Sequence, residues 1–319
     1  MKLYKTHKEK LELVEVKPFL TEKEIQNLVE SNSSEFFNLE FVKTELTVGK
    51  YRLDSLCFDN ENNSFVIVEY KKGNSYSVID QGYTYLQLLL NNKSDFLLEL
   101  SHHWNKVLKQ SDVDWSQSRI IFISQSFNSY QKDSVNFKNL PFELYEIKRF
   151  ENNAVSILKH ISSSNESIES LASSKGGSVI KEVNKEVKVY EESFHLKKLK
   201  NNKVKEKWEV LKNKLNEKEG LTTKITQQYV KFEIDGKGLV YCNFRSAYIH
   251  ADVIRGTVKT DGSKSKKFFN LDDPKNLAKE NEWTWKSGDK GNQYRIQFDQ
   301  DTDVDYFMFL LNQKIKNLS

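Results

Sequence analysis

Cysteine is nearly absent from the 319-residue chain: Cys57 and Cys242 stand far apart and form no C-x-x-C pattern. That argues against a disulfide scaffold and against a cysteine-based zinc site. No apolar run approaches the length of a membrane span. The opening, MKLYKTHKEKLELVEV, lacks the apolar stretch of a secretory signal, so the chain reads as cytoplasmic with no membrane partner. No glycine-rich loop is followed by the Lys-Ser/Thr of a P-loop, and SGDKG at 287–291 reads as a turn. No internal repeat is visible. A strong charge of one sign is missing too, since the formal net charge is only +4.

What is present is the composition of a globular protein, 38% hydrophobic and 29% charged, with length enough for two domains that each bury a core. The charge is unevenly placed. Residues 1–150 hold 19 Lys+Arg and 21 Asp+Glu, and residues 151–319 hold 30 and 24. An acidic first half beside a basic second half suits nucleic acid held by one part and processed by the other. A solvated lysine-rich surface explains the same numbers equally well.

The first half alternates helix and strand signals. Thr21 and Glu24 are spaced as a capping box for a helix reaching about Ser31. Strands are predicted at 41–48, 51–58 and 64–70, the last two joined by the turn-rich Asp59-Asn60-Glu61-Asn62-Asn63. A helix follows over 77–90, opened by Ser77 and Asp80 in cap spacing. The continuous apolar run RIIFIS, 119–124, predicts a central strand, and 142–147 another. This order implies an α/β mixed sheet. Residues 161–199 read as a charged, serine-rich linker. Beyond it the pattern predicts an α+β domain over 200–319: a helix over about 194–216, strands at 229–234, 239–244, 247–254 and 294–298, and a closing helix at 304–316.

One stretch carries chemistry, "RLDSLCFDNENNSFVIVEYKK" at 52–72. Two apolar strands end in Asp54 and in Glu69-Tyr70-Lys71, where charge is expensive. Glu69 and Lys71 lie two apart and project from one strand face. A hairpin brings Asp54 alongside, and two carboxylates meeting there would repel unless a hard dication sits between them. Lys71 then neutralises charge developing on a phosphate or assists the attacking water. A plain surface ion pair between Glu69 and Lys71 is the bland alternative, worth at most about 1 kcal/mol.

Asp54 with Glu69-Tyr70-Lys71 resembles the D…E-x-K core of the PD-(D/E)XK nuclease superfamily, with Leu53 where the superfamily has its proline. Upstream, Glu30 in EKEIQNLVESN matches the further carboxylate that members often carry on their first helix; Glu24, Glu35 and Glu45 are its rivals. Downstream, Gln81 and Tyr85 in DQGYTYL lie at i, i+4 on one helix face and look like the Q-x-x-x-Y element of RecB-type members. The resemblance covers most of residues 18–150. It looks closest to a bacterial family of two-domain nuclease-like proteins sometimes labelled "predicted transport protein", whose second domain is similar to 200–319. The transport label finds no membrane span to support it.

The resemblance implies a restriction-endonuclease-like domain over 1–160 that hydrolyses phosphodiesters in DNA with Mg²⁺ or Mn²⁺. It implies metal binding by Asp54 and Glu69, with the Tyr70 carbonyl as a further ligand and Glu30 acting directly or through water, and catalytic roles for Lys71, Gln81 and Tyr85. A place in restriction, repair or phage defence follows from it, and a homodimer is compatible with it. The rival from another class is a catalytically idle nucleic-acid-binding or protein-interaction protein that keeps the fold. In the second domain Trp283, Trp285, Lys286, Tyr294 and Arg295 interleave rings and bases, which suits stacking plus phosphate contact; Lys286 and Arg295 are the candidate contacts, and aromatic core residues are the plainer reading. His102-His103 read as surface histidines, since neighbours on a helix diverge.

Overall fold

A computed structural model describes residues 2–71, 78–137, 140–160, 177–265, 267–284 and 290–318. The chain divides into two compact units, Met1–Val189 and Tyr190–Ser319.

The first unit opens with a hairpin, β1 (Leu3–His7) and β2 (Lys10–Val14), followed by helices α1 (Glu22–Glu30) and α2 (Ser33–Phe37). Thr21 caps α1 by accepting from the Glu24 amide at 3.1 Å, as its spacing predicts. A six-stranded sheet comes next, built from β3 (Glu40–Val48), β4 (Tyr51–Asp59), β5 (Ser64–Lys71), β6 (Arg119–Ser124), β7 (Phe142–Arg149) and β8 (Val155–His160) in that spatial order. The pairs β3–β4, β4–β5 and β7–β8 are antiparallel, whereas β5–β6 and β6–β7 are parallel. This mixed α/β architecture agrees with the sequence reading.

Both faces of that sheet are covered. Ile25 and Val29 of α1 pack on Cys57, Val66, Val68, Ile121 and Ile123. On the other face lie α3 (Val78–Asn91), α4 (Lys93–His103), the short α5 (Ser129–Ser134) and α6 (Gly177–Glu186), over Leu56, Phe58, Phe65, Ile67, Ile120 and Phe122. Two-sided burial explains why β5 and β6 read as unbroken apolar runs. Gly82 lets α3 approach: a Cβ there would lie 2.6 Å from the Phe142 ring.

The stretch read as a linker is ordered where it is described. Residues 161–176 lie outside the described residues, as does Ser77. Helix α6 buries Val183 completely against the first unit, and α7 (Glu192–Leu196) belongs to the second. Valines at helical spacing among lysines and glutamates make α6 amphipathic, so it docks where a flexible connector would not.

In the second unit α7 is separate from α8 (Asn202–Asn216), so the single helix predicted over 194–216 is two. Asn201 breaks it by capping α8, accepting from the amides of Lys203 and Val204. An antiparallel sheet follows: β9 (Leu221–Ile225), β10 (Val230–Ile234), β11 (Lys237–Phe244), β12 (Ile249–Val258), β13 (Lys279–Thr284) and β14 (Lys290–Phe298), in spatial order β13-β14-β12-β11-β10-β9. The closing helix α9 (Val304–Leu318) and α8 cover one face, with Trp208, Leu211, Phe307 and Leu311 packed on Phe232, Val240, Phe244 and Ile296. No described helix is long and apolar enough to cross a membrane.

Candidate active site at the β4–β5 fork

Strands β4 and β5 pair from Asp59↔Ser64 to Ser55↔Val68 and then part. β4 continues beside β3, with Leu53 opposite Leu46, while β5 stays with β6, with Glu69 opposite Phe122. Backbone amides at such a parting lose their ladder partners and need others. The two carboxylates supply them: the Asp54 amide donates to Glu69 Oε1 at 3.1 Å, and the Tyr70 amide donates to Asp54 Oδ2 at 3.0 Å. The structure therefore joins Asp54 and Glu69, as the sequence reading expected.

Among the described residues Lys71 and Arg52 are the cations whose charge bears on Asp54. Glu69 is only 3% exposed; burial first, and then the Asp54 charge, push its carboxyl up to about 8. Burial also raises Asp54. Lys71 Nζ stands 3.6 Å from Glu69 Oε2, and its charge works against the rise without cancelling it. Burial and mutual repulsion disfavour ionisation of both carboxylates together, and their oxygens are the donor type that a hard dication prefers. The pair fits a divalent metal.

Helix α3 delivers the next two residues. Gln81 Nε2 donates to Glu69 Oε2 at 3.1 Å and to the Tyr85 hydroxyl at 3.0 Å, so both side chains face the fork. Tyr85 is anchored edge-on against Tyr51, with ring centroids 6.3 Å apart.

Glu30 does not join the pair. Its Oε1 accepts from Ser55 Oγ at 2.6 Å and from Gln26 Nε2 at 2.8 Å. Adjacent strand residues point to opposite faces, so Ser55 meets α1 while Asp54 turns to the fork. The α1 carboxylate whose charge bears on Asp54 is Glu22, which adds to the rise that burial causes. Among the described residues no group of three or more His, Cys, Asp or Glu side chains is placed to hold a metal. The rivals are engaged elsewhere, Glu24 with Arg149 and Glu45 with Lys23, and Glu35 lies exposed on α2. Tyr70 puts its ring on the α1 face, its hydroxyl 3.1 Å from Ser55 Oγ.

Sequence reasoning missed Gln26, which is nearly buried and whose amide also reaches the Asp54 carbonyl at 2.9 Å and Thr44 Oγ1 at 3.1 Å. Its spacing four before Glu30 on α1 was the available signal.

The other candidates separate. His103 Nε2 lies 2.9 Å from Glu40 Oε1, to which Trp104 also donates. Trp285, Lys286 and residues 287–289 of SGDKG lie outside the described residues. Arg295 forms a two-pronged pair with Asp252, at 2.7 and 2.9 Å. Its guanidinium is thus engaged with a neighbouring strand, while its side chain stays 39% exposed.

No family model matches the chain, and no solved structure matches it. A curated relative does, an uncharacterised protein of Haemophilus influenzae that is 34% identical over 321 aligned residues, covering 99% of this chain and 100% of the relative. Agreement at that level along both chains includes both units, and the chain belongs to the same family as the Haemophilus influenzae protein.

Proposed function

We propose that the chain is a metal-dependent DNA nuclease of PD-(D/E)XK type, with the first unit as a restriction-endonuclease-like catalytic domain. The observation that carries this reading is the meeting of Asp54 and Glu69 at the parting of β4 and β5, each holding the other's strand amide and both raised in proton affinity by burial. Asp54 and Glu69 would hold Mg²⁺ or Mn²⁺, which when bound supplies Lewis-acid polarisation of a phosphate. Lys71, fixed beside Glu69, orients the attacking water and offers a charge to the developing phosphorane. Gln81 holds the Glu69 carboxylate and the Tyr85 hydroxyl in one hydrogen-bonded row, which limits the rotamers available to both.

The contacts of Lys71 and Gln81 with Glu69 also favour a second reading, in which they alone stabilise an idle carboxylate and the protein only binds nucleic acid or a protein partner. Supercoiled plasmid separates the two. The whole chain should nick it in Mg²⁺ or Mn²⁺ but not in EDTA, and Glu69→Ala or Lys71→Met should lose the nicking. A wild-type chain that leaves the plasmid intact with either metal favours the idle site.

A further inference from the structure

The second unit's sheet has one face filled by α8 and α9 and another that is polar. Strand alternation sends Phe232, Cys242, Phe244, Ala251, Val253, Ile296 and Phe298 into the core. The register of the ladders lines up the opposite set: Lys224 faces Lys231, Lys231 faces Tyr241, Tyr241 faces Asp252, Asp252 faces Arg295, and Arg295 faces Lys279. One row thus crosses all six strands, roughly 24 Å at the usual spacing.

The row holds four bases and one acid, and Glu233 adds a second acid through its 2.6 Å pair with Lys231. Arg295 is paired with Asp252 and buried Lys231 with Glu233, so the positive excess of this face lies in Lys224 and Lys279 on the edge strands. His250 is the next open-face residue of β12: burial first, and then Arg295, hold its imidazole below the ordinary value. Aromatic rings are interleaved with the bases. Lys231 Nζ lies 4.8 Å from the Tyr241 ring centroid, Tyr248 packs on His250, and half-buried Trp283 lies across Gly291. A Cβ on Gly291 would come within 2.2 Å of that indole, so the glycine makes room for the ring. Lys231, Asp252 and Gln293 are buried on this face, and its more open positions lie towards the edges.

We infer that this face is the binding platform for single-stranded nucleic acid, with Lys224 and Lys279 at its edges meeting phosphates and Trp283 stacking a base. A flat sheet with rings among bases suits unpaired nucleotides, whose faces are open to stack and whose backbone can meet the lysines of the two edge strands. The inference takes its ligand class from the function proposed above but does not need the fork to be active.

The test is fluorescence anisotropy of a labelled 20-residue oligothymidylate with the whole chain in EDTA, where cleavage plays no part. The wild type should bind with an affinity that falls as salt rises. Lys224→Ala/Lys279→Ala should weaken binding and flatten the log–log salt slope by about 1.4, the share of two phosphate contacts on a single strand. Trp283→Ala should weaken it about tenfold with the slope unchanged, and Trp283→Phe should recover most of that loss. The lysine pair lies on the edge strands and outside the core, so it remains decisive even if Trp283→Ala fails to fold. The inference is overturned if the wild type does not bind, if the lysine pair leaves affinity and slope unaltered, or if duplex of the same length binds equally well. It is also overturned if these variants change only the sedimenting mass, which would assign the face to protein contact. A wild type that nicks plasmid without binding the oligothymidylate would refute the platform alone, and one that binds it without nicking would refute the nuclease alone.

Discussion

Glu69 is the residue on which the account turns, and its environment has a thermodynamic signature. Its carboxyl is raised from the ordinary 4.5 to about 8, so the folded state keeps a proton that the unfolded chain releases. Stability contributed by this group is then complete below about 4.5, falls as pH rises towards 8, and levels off above that. Metal-free wild-type protein should lose melting temperature across this window relative to Glu69→Gln, which has no carboxyl to ionise. Saturating Mn²⁺ at pH 8 should restore the wild type and leave the variant unaffected. Thermal melts of both proteins at a series of pH values check this, and parallel curves would show that Glu69 ionises freely. For Gln81, whose amide bridges Glu69 and Tyr85, Gln81→Ala should slow plasmid cleavage by about tenfold to a hundredfold while changing DNA affinity less than threefold, on the scale of a lost positioning contact. Equal losses in rate and affinity would make it a binding residue instead.

Among the elements, α3 carries Gln81 and Tyr85 to the fork and depends on Gly82 to do so. Gly82→Ala would press a methyl into the Phe142 ring, at a cost of about 1–3 kcal/mol for overpacking. It should lower both the denaturation midpoint and the cleavage rate, and an unchanged midpoint would show that the helix has room to shift. The strands flanking the site were legible because β5 and β6 are buried on both faces and spelled in unbroken apolar residues. Other elements were not. β1, β8, β9 and β13 are sparsely buried, and each has a free edge in its sheet, so no apolar pattern marks them. The fork was half visible: E-x-K and a preceding Asp announce two carboxylates, but the residue at which β4 leaves β5 depends on three-dimensional pairing. The bond of Glu30 to Ser55, one residue from Asp54 and on the opposite face, was likewise not legible in the spacing. The pairing of Arg295 was hidden because Asp252, 43 residues away, becomes its neighbour only through the β12–β14 register.

At the scale of the whole molecule, charge and order divide at residue 189. Residues 1–189 hold 24 Lys+Arg against 26 Asp+Glu, and 190–319 hold 25 against 19. Because α6 buries Val183 and Val187 in the first core, a fragment of residues 1–189 should unfold cooperatively. One ending at residue 160 should melt lower, its surface under α6 exposed. The 1–189 fragment should keep metal binding yet lose most of the salt-dependent nucleic-acid affinity of the full chain, which counterion release ties to the basic unit. Anisotropy titrations at several salt concentrations compare the two; equal slopes would place the phosphate contacts in the first unit.

The central claim, that Asp54 and Glu69 share a divalent cation, is tested most directly by calorimetric titration of the whole chain with Mn²⁺. The account predicts saturable binding for the wild type and for Lys71→Met, and its loss in Asp54→Ala and Glu69→Ala. Wild-type protein that takes up no Mn²⁺, or a Glu69→Ala variant that binds it as tightly as the wild type, would contradict the account.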